Sequence, residues 1–144
     1  MNFLLDTNAV SEWVRPRPDP GVIRWMESVD EDRVFLSVIS LAELHYGVER
    51  MAAGARRSRL EEWLQDELPL RFEGRILPVD GNTAEAWGKT VSRSEALGRP
   101  IGAMDAFLAA TAQTHRLTLV TRNVSAFPLL KAILNPWSDP GTKG

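Results

Sequence analysis

Short apolar runs alternate along this chain with stretches whose apolar positions recur every three or four residues. Phe3, Leu4 and Leu5 form the first run, ended abruptly by Asp6, and Val34 to Val38, Arg75 to Val79 and Leu117 to Val120 supply three more. Runs of this length bounded by polar residues predict buried strands. The intervening spacing predicts helices. A short one covers Ala9 to Val14 and is stopped by the prolines of RPRPDP. The next has Asp19 as N-cap and Pro20 as first residue, with Val22, Ile23, Met26 and Val29 on one face. A helical hairpin follows: one arm opens at Ser40 with Leu41, Leu44, Val48 and Met51 on its stripe and ends near Gly54, and the other runs from Arg56 to Leu68. A helix from GNTAEAW stops at Gly98, and an alanine-rich one spans IGAMDAFLAATAQTHR. Four strands alternating with helices predict an α/β fold with one parallel sheet covered on both faces. The 144 residues contain no repeat or linker, so one domain is expected over 1–138, followed by a flexible C-terminal tail, 139–144.

Composition narrows the chemistry more than the fold. The chain has no cysteine, which excludes disulfides and thiolate metal sites. Any metal must be held by oxygen or by the two histidines, an inventory that suits magnesium or manganese. There is no basic leader and no apolar run approaching the roughly 18 residues of a membrane span, so a cytoplasmic protein is expected. The net charge of -2 gives no global attraction to nucleic acid. All but three of the 17 basic residues are arginine, the side chain better shaped for bidentate phosphate contacts, and Arg15 and Arg17 fall in the proline-rich loop.

Three acids stand at element junctions: Asp6 after the first strand, Glu43 early in a helix, Asp105 near the start of another. Thr121 to Asn123 form a fourth polar junction, after the last strand. Structural roles compete for the acids. Asp6 is a natural cap for the helix behind it, and Ser40 and Glu43 have the spacing of a capping box. Asp80 reads as a turn or cap residue, and His115 as the closing charge of its helix. Asp105 is harder to explain, because it sits among Ala103, Met104, Ala106 and Phe107, where a carboxylate needs a partner. Parallel topology brings the carboxyl ends of strands to one edge, so distant acids can converge. Carboxylates brought that close repel one another unless a cation neutralises them.

LLDTNAVSE with Asp6, SVISLAELHYGV with Glu43, IGAMDAFLAATAQTHRLTLVTRN with Asp105 and Asn123, and a late NPW follow one another over nearly the full chain. Together these blocks resemble the PIN-domain ribonucleases, and most closely the toxin subunits of VapBC-type toxin-antitoxin pairs. The resemblance implies a three-layer α/β/α PIN-like domain with a central parallel sheet and an acidic pocket for Mg2+ or Mn2+. Asp6 and Asp105 would be metal ligands, with Glu43 completing the acidic set. Asn123 would join the catalytic set where many relatives carry a fourth acid. Asn8, Thr121 and Arg122 would face the substrate, Arg122 helping to hold charge that develops on the phosphate. Three carboxylates and one divalent ion leave one negative charge, so a second ion is expected to bind weakly or to arrive with the substrate.

The activity implied is hydrolysis of RNA phosphodiester bonds by metal-activated water. The implied partners are an RNA substrate, a cognate antitoxin, a second copy in a homodimer, and a toxin-antitoxin hetero-oligomer that meets promoter DNA only through the antitoxin. Trp13, Trp25 and Trp63 are candidates either for anchoring that partner or for the core. Two rival readings stand beside this one. Asn123 leaves room for a PIN-like scaffold that binds RNA or protein without cutting. A haloacid-dehalogenase-type phosphatase also places an aspartate after its first strand, but wants a second two residues on, where this chain has Asn8.

Overall fold

The apolar runs become the centre of the molecule. In the computed structural model, which describes residues 1–138, they form a five-stranded sheet in the order β3-β2-β1-β4-β5. Its strands are β1 (Phe3–Leu5), β2 (Val34–Ser37), β3 (Ile76–Leu77), β4 (Thr118–Val120) and β5 (Ile133–Leu134), and every pairing is parallel. The helices are α1 (Thr7–Glu12), α2 (Pro20–Ser28), α3 (Val38–Glu49), α4 (Ala55–Glu62), α5 (Leu68–Arg71), α6 (Gly81–Ala96) and α7 (Ala103–His115). Strand alternation divides the core in two. Leu5, Leu36 and Val120 pack with Val10, Val22, Leu64, Leu68 and Phe72 on one face; Leu4 and Leu119 pack with Leu108, Ala109 and Ala112 on the other. The result is the expected three-layer α/β/α arrangement with a central parallel sheet. Among the described residues no helix is long and apolar enough to cross a membrane.

Several boundaries differ from the sequence reading, each for a local reason. There are five strands rather than four: Ile133 and Leu134 pair with Leu119 and Val120, an edge strand too short to show a period. The helix expected over Ala9 to Val14 begins earlier, at Thr7, because Asp6 itself is the N-cap and accepts from the Thr7 amide at 2.7 Å. Ser37, not Ser40, caps α3, its hydroxyl accepting from the Ile39 amide at 3.0 Å. Ser40 is therefore buried inside the helix, and the capping-box reading of Glu43 falls. The second arm of the hairpin is interrupted by a π-helical turn over Trp63–Glu67, ahead of Pro69, which has no amide to continue the ladder. Asp19 and Asp80 do cap their helices, accepting from Val22 and Thr83. Gly98, at φ +69°, ends α6 in the left-handed conformation expected of it. The expected flexible tail, 139–144, lies outside the described residues.

The chain after β5 is tied back to α2. Ser138 donates its amide and hydroxyl to Asp19, at 2.9 and 2.7 Å. A Cβ on Gly21 would press into the backbone of Pro136 and Ser138, which cannot yield as a flexible side chain can. Gly21→Ala is therefore expected to cost about 2 kcal/mol or more and to lower the thermal midpoint by several degrees, measured by circular dichroism melting.

Candidate active site

The site is built by strand register. Leu5 lies opposite Val120, so the next residues on the two strands, Asp6 and Thr121, emerge side by side at the carboxyl edge of the sheet. The Thr121 hydroxyl donates to Asp6 Oδ2 at 2.7 Å and accepts from the Asn123 amide at 3.0 Å. On the other side, β2 leads directly into α3, whose Ser40 and Glu43 lie one turn apart. Both face Thr7 at the start of α1: the Thr7 hydroxyl contacts Ser40 Oγ at 3.2 Å and donates to Glu43 Oε1 in a short hydrogen bond. Asp105 comes from the first turn of α7.

The acids feel one another. Asp6 is buried, and burial raises its pKa; the Thr121 hydroxyl and the Thr7 amide oppose this, and the charge of Glu43 reinforces it. Asp105 is pushed up to about 6, by burial first and then by the negative charges of Asp6 and Glu43. Unlike Asp6 and Glu43, it has no hydrogen-bond donor of its own among the described residues. A carboxylate among carboxylates, without donors, is a group that a cation would relieve.

The all-oxygen donor set fits a hard divalent ion. The buried Oδ1 of Asn8, which has no hydrogen-bond partner, adds an unsatisfied oxygen beside it, since Asn8 Nδ2 lies 3.5 Å from Asp6 Oδ2. The three acids are neighbours, but among the described residues no three His, Asp or Glu side chains are gathered tightly enough to hold an ion as they stand. Glu43 is bonded to Thr7 and Asp6 to Thr121.

Other expected site residues are distributed less simply. Thr121, expected to face substrate, is fully buried and committed to Asp6, so it positions that carboxylate instead. Asn123 has an exposed side chain and reaches the site through its backbone amide, which donates to Thr121 Oγ1. Arg122 is exposed at the same edge. Asn8 places an amide, not a second carboxylate, next to Asp6. Thr7 and Ser40 were missed as site residues; their signal was the hydroxyl next to each acid's helix start, readable only once α1 and α3 are known to face each other.

A family profile described as the PIN domain matches residues 3–127. The chain belongs to the PIN-domain family. This PIN domain is 39% identical to Toxin FitB of Neisseria gonorrhoeae, over 95% of this chain and 99% of that one. It is 34% identical to VapC ribonuclease Y4jK of Sinorhizobium fredii, over 94% and 97% respectively. Among solved structures, FitAB bound to an IR36 DNA fragment contains a chain that superposes with a TM-score of 0.88 at 37% identity, covering 94% of this chain and 95% of its own.

The raised pKa of Asp105 has a signed consequence. Between its ordinary 3.8 and about 6, the folded protein holds a proton that the unfolded chain has released. The stability this group contributes is thus intact below 3.8 and is lost as pH rises through about 6. Asp105→Asn is expected to raise the melting temperature of metal-free protein by a few degrees at mildly alkaline pH and hardly at all near the lower end of that window. Thermal melts in chelator across a pH series read the difference.

Proposed function

We propose that this chain is a divalent-metal-dependent ribonuclease, the toxin of a toxin-antitoxin pair, with Asp6, Glu43 and Asp105 as its acidic centre. The observation that carries the reading is the convergence of those three acids, from β1, α3 and α7, in a corner where two of them raise the pKa of the third. The names of the relatives support it, one a toxin and one a VapC ribonuclease.

Asp6 and Asp105 would hold the ion, and Glu43, now bonded to Thr7, would complete the set. Magnesium or manganese, when bound, supplies Lewis acidity toward a phosphoryl oxygen and lowers the pKa of water. The protein's own part is to place and discharge. Thr121 fixes the rotamer of Asp6 by its hydroxyl, and its own orientation is set by the Asn123 amide. Thr7 stores Glu43 in a defined position. Asp105, whose pKa is raised by burial first and then by Asp6 and Glu43, would be held ionised by a bound cation. Arg122 and Asn8 are the substrate-facing groups, Arg122 offering its charge to the RNA phosphate backbone.

A toxin of this kind needs an antitoxin. An apolar groove of about 240 Å³ starts at Thr7 and Glu43 and continues past Leu44, Met51, Leu60 and Trp63, a shape suited to an antitoxin segment that ends over the acids. Of the tryptophans considered as anchors, Trp13 packs against Phe72 and Trp25 against Phe3, whereas Trp63 lines this groove. The reading includes a homodimer, and a toxin-antitoxin assembly that contacts promoter DNA through the antitoxin. The structure of FitAB bound to an IR36 DNA fragment supports DNA binding by such an assembly.

Asp6→Asn or Asp105→Asn is expected to reduce cleavage of RNA by at least about a hundredfold, since several kcal/mol of transition-state stabilisation is at stake. The far-ultraviolet circular dichroism should be unchanged. EDTA should abolish wild-type cleavage and added Mg2+ or Mn2+ restore it. Full activity in either variant would remove that residue from the mechanism, and full activity in EDTA would remove the metal.

A further inference from the structure

Beside α1, sharing Arg15 with the apolar groove, lies a second cleft, of about 340 Å³, lined by Glu12, Arg15, Arg17, Asp19, Arg122 and Trp137. It sits at the same carboxyl edge of the sheet as the acids, over the ends of β4 and β5. Arg122 directly follows Thr121, whose hydroxyl is bonded to Asp6, so the cleft adjoins the acidic corner with one residue between them.

Its charges are unevenly committed. Glu12 is buried and accepts from the Asp19 amide at 2.7 Å and from Arg15 Nη1 at 3.1 Å. The Asp19 carboxylate accepts from Val22 and from the amide and hydroxyl of Ser138. Both acids are therefore consumed in holding the loop. Arg17 and Arg122 are exposed and have no carboxylate partner among the described residues. What sets them apart from other exposed arginines is that they share one concavity next to Thr121. On a chain of net charge -2, two unpaired guanidiniums in one concavity form a local positive field against the global sign. Pro16, Pro18 and Pro20 stiffen the loop that presents Arg17, which lowers the entropy cost of using it.

We propose that this cleft carries the RNA backbone away from the scissile bond, with Arg122 and then Arg17 engaging successive phosphates while Arg15, held by Glu12, forms the wall between them and the groove. This rests on the ribonuclease reading. An RNA strand whose scissile phosphate sits at the acids must leave across the sheet edge, and the cleft is the cationic exit adjoining Thr121. The groove and the cleft, meeting at Arg15, thus take two different occupants, a peptide in one and a nucleic-acid strand in the other.

The test uses the full chain in EDTA, where cleavage is expected to stop and binding can be read alone. Binding of a labelled, mixed-sequence single-stranded RNA is followed by fluorescence anisotropy over a salt series for wild type, the double variant Arg17→Gln/Arg122→Gln, and Arg57→Gln as a control of equal charge change per site. Affinity of the double variant is expected to fall on the order of tenfold. The slope of log affinity against log salt should shrink by about 1.4, the share of two phosphate contacts on a single strand. Arg57→Gln should change neither, and Arg17→Lys/Arg122→Lys should restore most of the slope, which also guards against a folding defect. Unchanged affinity and slope in the double variant would overturn the proposal, as would an equal loss in the control. A loss of antitoxin affinity with RNA binding intact would make the cleft a protein-docking surface instead. Wild-type protein that cuts no cellular RNA in the presence of metal would defeat the ribonuclease reading itself, and this inference with it.

Discussion

The register in which β1 lies between β2 and β4 is the constraint from which the chemistry of this molecule descends. It places Asp6 beside Thr121 and sets α3 to start where its Ser40 and Glu43 meet Thr7. A slip of one residue would send Leu4 and Leu5 to the wrong faces and carry Asp6 away from the edge. The two cores on either side of the sheet thus specify the site as firmly as they specify the fold, because the same side chains enforce both. Burial of Asp6 is the cost of this placement, offset by a hydroxyl on one oxygen and a backbone amide on the other.

From the short helix α1 the site acquires three different surroundings. Its capped N-terminus faces the acids, Thr7 and Ser11 border an apolar groove, and Glu12 anchors a loop of prolines and arginines. Six residues of helix suffice because α1 is clamped at both ends, by Asp6 at the first amide and by Glu12 reaching the Asp19 amide. The buried Glu12 would be an expense on its own. Here it converts a flexible connection into a fixed wall, and the wall holds an arginine next to the sheet edge.

The fold class and most elements were legible because their signals are local: β-branched runs, apolar periodicity, Pro20 after Asp19, Gly98 after a helix. Asp6, Glu43 and Asp105 were legible as junction acids, and their gathering follows from parallel topology. What the sequence hid depends on spatial neighbours. Two residues of β5 show no alternation, so only the pairing with β4 reveals them. Ser37 and Ser40 are equally good caps by type, and the choice was made by where β2 stops bonding to β1 and β3. Thr121 looks like an exposed polar residue after a strand, yet the strand it follows lies against β1, and its hydroxyl is turned inward to Asp6. The hydroxyl partners of the acids are invisible to any reading that does not know which helices touch.

Asn123 stands at the edge of the site with its side chain exposed. The main-chain amide at this position still does its work, supporting the Thr121 hydroxyl that orients Asp6, and any residue except proline supplies that donor. The support of Asp6 therefore does not depend on a carboxylate at this position, and Arg122, one residue back along the edge, lines the cleft.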